Sequence, residues 1–117
     1  MLHHVTLETR REDAEAAVAF WRLLGFEPIE PPPALVGRAL WMGRSGTHIH
    51  LLYTDDPVIP PAGHTAIVAA DHDATLAALR AAGHHVDPHA EHWGAARAFV
   101  KDPSGHLVEV MAAPPPG

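Results

Sequence analysis

The chain has 117 residues, of which 47% are apolar and 19% charged, a composition suited to one soluble domain. Cysteine is absent, which excludes a disulfide framework, a catalytic thiolate and thiolate metal ligation. The net charge is −6 with histidine neutral and no Lys/Arg cluster is present, so nucleic-acid binding has little electrostatic support. No apolar run approaches the roughly 20 residues that span a bilayer. Residues 1–20 lack the basic start and apolar core of a signal peptide. The expected partner is a small molecule rather than nucleic acid or membrane, and the expected location is the cytoplasm.

Residues 2–7 alternate and read as a first strand, with His4 and Thr6 on one face and His3, Val5 and Leu7 on the other. Residues 8–12 are polar and read as a loop. Asp13 is placed to cap a helix over 14–24, whose Ala17, Phe20, Trp21 and Leu24 recur at helical spacing before Gly25 stops it. A short strand over 26–30 ends at Pro31-Pro32-Pro33. Strands over 38–42 and 47–53 flank a Gly43–Gly46 turn, and the second of them aligns His48, His50 and Leu52 on one face. A Pro-rich connector follows at 55–62.

The same order then begins again. A strand over 64–69 leads to a helix capped by Asp71 or Asp73 and stopped by Gly83. Strands follow near 85–87, over 97–101 and over 106–111, with a Pro-rich tail at 113–117. The last strand holds one carboxylate, Glu109, between Val108 and Val110, a costly place for a charge unless something pairs or coordinates it.

The two halves correspond at nearly constant separation, the test of an internal repeat. His4 and His64 stand 60 positions apart, Gly25 and Gly83 58, and Ser45-Gly46 and Ser104-Gly105 59. Arg38 and Arg97, and His50 and Glu109, are also 59 apart. One domain is therefore expected over 1–117, with a first module at about 1–54 and a second at about 63–112.

Histidine is the compositional outlier, with 11 copies. Matched strand positions carry His4, His50, His64 and Glu109, three imidazoles and a carboxylate suited to a divalent transition ion such as Zn²⁺, Ni²⁺, Mn²⁺ or Fe²⁺. His48 shares a strand face with His50 and is expected to line the same cavity or support a ligand. His3 reads as structural, and His72, His84, His85, His89, His92 and His106 read as exposed or loop residues. Arg38 and Arg97 are candidates for an anionic substrate group, and Trp41, Trp93 and Phe99 for an apolar wall.

These motifs resemble the vicinal oxygen chelate superfamily, which includes glyoxalase I, fosfomycin-resistance, bleomycin-resistance and extradiol-dioxygenase proteins. The resemblance spans residues 2–111. It is carried by His-Val-Thr-Leu at 4–7, Ala-Phe-Trp-Arg-Leu-Leu-Gly-Phe at 19–26, His64, and Asp-Pro-Ser-Gly-His-Leu-Val-Glu-Val at 102–110. It implies an α+β fold of two tandem βαβββ modules forming a curved, cup-like mixed sheet with helices outside.

The family metal positions fall on His4, His50, His64 and Glu109, with His50 and Glu109 expected to carry the chemistry. His50 is a departure, since glyoxalase I-like members usually have Glu there; it is expected to act as a fourth ligand or as a base. The reading is a metal-dependent enzyme acting on a small oxygen-chelating substrate, assembled as a homodimer. An Fe²⁺ extradiol-type dioxygenase using His4, His64 and Glu109 is one alternative. A metal-free sequestering protein of the bleomycin-resistance type is the other.

Overall fold

Both helices form where apolar residues recur at helical spacing, and both end on a glycine for the same geometric reason. In a computed structural model describing residues 1–117, α1 spans Ala14–Leu23 and α2 spans His72–Ala81. Gly25 and Gly83 have φ of 88° and 92°. Each lets the chain fold back so that its own N–H and the next one reach carbonyls of the last turn. These are Gly25 to Arg22 and Phe26 to Trp21, then Gly83 to Arg80 and His84 to Leu79. The starts differ. Asp71 caps α2 by accepting from the Ala74 N–H at 3.1 Å. Asp13 makes no such bond, because a 3-10 turn over Arg11–Asp13 leads into α1 instead.

The chain divides into two compact units, Met1–Ile59 and Pro60–Gly117. In the first, β1 (His4–Thr9), β2 (Glu27–Ile29), β3 (Ala39–Arg44) and β4 (Thr47–Tyr53) form a sheet in the order β1-β4-β3-β2. β1 runs parallel to β4 and the other neighbours are antiparallel. In the second, β5 (His64–Val68), β6 (Asp87–His89), β7 (Arg97–Lys101) and β8 (Leu107–Met111) repeat the arrangement as β5-β8-β7-β6. The fold is α+β, built from two tandem βαβββ modules, each with an open four-stranded mixed sheet.

Alternation then divides each sheet into an apolar face and a polar one. In the first module the buried side takes Met42, Ile49 and Leu51 with Ala17, Phe20 and Trp21 of α1. Trp21 meets Phe20 and Phe26 edge-on at 5.3 and 5.4 Å, the preferred aromatic geometry. In the second the buried side takes Ile67, Ala98, Val100, Val108 and Val110 with Leu76 and Leu79 of α2.

Several sequence expectations are corrected. β1 runs on to Thr9, because its parallel pairing with β4 continues as far as Tyr53. β6 lies at Asp87–His89, two residues beyond the expected position. His72 and His106, expected to be exposed, are only 8% and 3% accessible. The His72 Nε2–H donates to the Val110 carbonyl at 3.0 Å, tying α2 to the central strand β8.

The turn before β8 is organised by Asp102, itself 4% exposed. Its Oδ1 accepts from the Ser104 and His106 N–H groups at 3.0 and 2.8 Å. Burial pushes its carboxyl above the ordinary value, against the opposing effect of those backbone donors. Asp102→Ala strands both N–H groups and is expected to cost about 1–3 kcal/mol. Asp102→Asn keeps an accepting oxygen without a buried charge and is expected to retain most of the stability. Urea unfolding of the two variants at neutral pH checks this, and equal losses would contradict it.

Candidate functional site

The polar face of each sheet carries most of the residues singled out in the sequence. In the second module Phe99 lies opposite Glu109 across β7 and β8, and Ala66 opposite Glu109 across β5 and β8. His64, Phe99, Arg97 and Glu109 therefore share one face. Glu109 is 6% exposed. Its Oε2 accepts from Arg97 Nη1 at 3.0 Å, and its Oε1 lies 3.3 Å from His64 Nε2.

His64 is turned by a second contact. Its Nδ1 lies 2.9 Å from the Ala62 carbonyl oxygen, which can only accept, so Nδ1 carries the proton. In the neutral ring Nε2 then holds the lone pair, and two Lewis bases face each other across 3.3 Å. The pair requires a positive species, either a second imidazole proton or a cation. A backbone-fixed Nδ1–H with Nε2 free is the tautomer of a ligating histidine. By this test His64 and Glu109 fit a metal as two of its ligands.

Arg97 is held from several sides. Its Nε donates to the Ala90 carbonyl at 2.8 Å, and its guanidinium lies 5.7 Å from the ring centres of both Trp93 and Phe99. Trp93 is fixed in turn by its Nε1–H donating to Ala113 O at 2.9 Å. Phe99 also touches the rings of His64, at 5.0 Å, and His89, at 4.6 Å. His89, read as an exposed or loop residue, is exposed but does not lie in a loop. It belongs to β6, on the face of Phe99, and it pairs with Asp87 at 3.1 Å. The Asp87–Pro88–His89 alternation was the available signal, obscured by placing the strand two residues early.

The first module builds a different face from the equivalent positions. Trp41 lies opposite His50 as Phe99 lies opposite Glu109. The Trp41 and His50 rings stack at 3.9 Å and 1°, and His4 covers the other side of His50 at 4.1 Å and 18°. His48 Nδ1 lies 3.2 Å from His50 Nε2. His3, expected to be structural, joins this cluster. It precedes β1 and escapes strand alternation, and its ring lies 4.5 Å from that of His48, with its Nδ1 3.0 Å from His4 Nδ1.

Burial, and then the neighbouring His4, His48 and His3, lower the His50 pKa from 6.5 to about 4. An imidazole donates in its ring plane, so the stacked rings of His4 and His50 do not aim two lone pairs at one point. No three His, Asp or Glu side chains of the chain are grouped so as to hold a metal ion.

The strand pairing also corrects the repeat. Ala39 faces Leu52 and Arg97 faces Met111, so Arg97 corresponds to Ala39 and Phe99 to Trp41, 58 positions apart in each case. Arg38 is one residue out of that register. It is exposed, precedes β3, and has the parity of Leu40 and Met42 rather than Trp41. A one-residue slip reverses the face, which removes the expected equivalence with Arg97.

The sequence model of the Glyoxalase/Bleomycin resistance protein/Dioxygenase superfamily matches residues 1–110. Among solved structures, a Bacillus anthracis protein assigned to the glyoxalase family is similar at 25% identity, with a TM-score of 0.86 over 95% of this chain and 93% of that one. Oxidase ChaP-H2 is similar at 21% identity and a TM-score of 0.78, over 98% and 94%. Lactoylglutathione lyase from Agrobacterium tumefaciens is similar at 20% and 0.68, over 95% and 92%. No curated protein sequence matches the chain. With its repeat, its two βαβββ modules and a family match over nearly its whole length, the chain belongs to the Glyoxalase/Bleomycin resistance protein/Dioxygenase superfamily.

Proposed function

We propose that the protein is a metal-dependent enzyme acting on a small substrate that chelates through oxygen. The observation that carries the reading is the His64–Glu109 pair, an oriented imidazole nitrogen and a buried carboxylate facing each other at 3.3 Å. His64 Nε2 and Glu109 Oε1 of the second module would hold the ion. When bound, a divalent metal supplies Lewis acidity toward a substrate oxygen. The surrounding residues bind and orient. Trp93 and Phe99 offer aromatic surface, and Arg97 holds the second oxygen of Glu109. In the first module His48 lies beside His50, its Nδ1 3.2 Å from His50 Nε2.

The low pKa of His50 bears on its role. A base that releases its proton at about 4 is a weak acceptor near neutrality. This argues against a general-base role for His50. A second reading, a metal-free binding protein, is favoured by the Arg97–Glu109 ion pair, which already neutralises the carboxylate. Imidazole and carboxylate donors also suit Fe²⁺, which keeps it among the ions to be tried.

Elemental analysis after loading with Zn²⁺, Ni²⁺, Mn²⁺ or anaerobic Fe²⁺ tests the proposal. One ion per chain is expected, with His64→Ala and Glu109→Ala each losing more affinity than the roughly 10–100-fold of a lost supporting hydrogen bond. Full metal content in either variant would sink the assignment, and no uptake by the wild type would favour the metal-free reading.

The metal-free protein should also lose stability in acid. The folded chain keeps His50 neutral down to about pH 4, whereas the unfolded chain takes the proton near 6.5. Falling pH through that window therefore favours the unfolded state. Titration of the His50 ring protons by NMR is expected to give a midpoint near about 4. A midpoint near 6.5 would show that the stacked, buried environment does not hold the ring neutral.

A further inference from the structure

Arg97 is the one cation of the second module bonded to the carboxylate proposed as a ligand. Its side chain is 13% exposed, and it is immobilised by the Ala90 carbonyl, by Glu109 and by the faces of Trp93 and Phe99. The repeat shows that this is a specific addition. The equivalent position in the first module is Ala39, opposite a strand whose matching residue is neutral His50. A guanidinium stands where the glutamate stands and is absent where the histidine stands.

We propose that Arg97 is a resident counter-cation that limits Glu109 to one ligating oxygen and holds metal affinity down. Oε2 is committed to Arg97 Nη1, so Oε1, beside His64 Nε2, is the oxygen left for an ion. A divalent ion entering there shares one carboxylate with a fixed positive charge. The two repel across a carboxylate nearly closed to solvent, and the hydrogen bond withdraws electron density from that donor. The gain is stability without metal, since a buried carboxylate with no partner is costly. Arg97 is thus a positioning residue, acting through Glu109, and this inference rests on the metal reading above.

The test compares Zn²⁺ binding by calorimetry in the wild type, Arg97→Met and Arg97→Lys, each with its thermal midpoint with and without Zn²⁺. Arg97→Met is expected to have a lower midpoint without metal, to bind Zn²⁺ at least about tenfold more tightly, and to gain more from it. Arg97→Lys keeps the charge and is expected to remain near wild-type affinity. A purely structural arginine would lower the midpoint without strengthening binding, so unchanged or weaker affinity in Arg97→Met overturns the inference while leaving the metal reading intact. Should Arg97→Met fail to fold, Arg97→Lys decides: binding about tenfold tighter than wild type, with the charge still present, would contradict the role. Absence of Zn²⁺ binding in every form would overturn the inference together with the metal reading.

Discussion

A carboxylate in the middle of a buried strand is the constraint on which the second module turns. Val108 and Val110, on either side of Glu109, are fully buried on the opposite face and place the strand at the centre of the sheet. The alternation that buries them puts Glu109 on the other side, where it is still almost closed to solvent. A charge there needs partners, and the neighbouring strands supply them: Arg97 from β7 and His64 from β5. Removing one partner from such a pair typically costs about 3–5 kcal/mol, because the remaining charge stays buried. The surrounding contacts follow from this need. Ala90 and Trp93 hold Arg97, Ala113 holds Trp93, and Ala62 turns His64.

The first module meets the same topology with different chemistry. Where the second has Glu109, Phe99 and Arg97, the first has His50, Trp41 and Ala39. A neutral imidazole needs no counter-charge, and it gains instead from flat aromatic contact on both faces. Its burial, and then the crowding of His4, His48 and His3 around it, explain why it holds its proton so weakly. One repeat has thus diverged into a charged face and an aromatic one on matching frames.

Much of this was legible in the chain. Strands over 47–53 and 97–101 fall where alternation placed them, and both helices stop where glycine said they would. His4, His50, His64 and Glu109 were found through the repeat, and each lies on the polar face of its sheet. What was not legible depends on contacts across strands. Arg38 and Arg97 matched in sequence but lie on opposite parities, which strand pairing alone reveals. His3 was misread because alternation was assumed before the strand begins. His72 looked like a solvated helix start, but the Val110 carbonyl gives its ring a reason to be buried. The Arg97–Glu109 bond joins residues 12 apart on two strands and has no local signature.

The central claim is that His64 and Glu109 form a pair poised for a cation. The most direct measurement is a long-range ¹H–¹⁵N correlation spectrum of the His64 ring, recorded without and with Zn²⁺. The account predicts that Nδ1 stays protonated throughout and that the Nε2 resonance moves to a metal-bound position when Zn²⁺ is added. A proton on Nε2 alone in the metal-free protein, or an Nε2 resonance unmoved by saturating Zn²⁺, would contradict it.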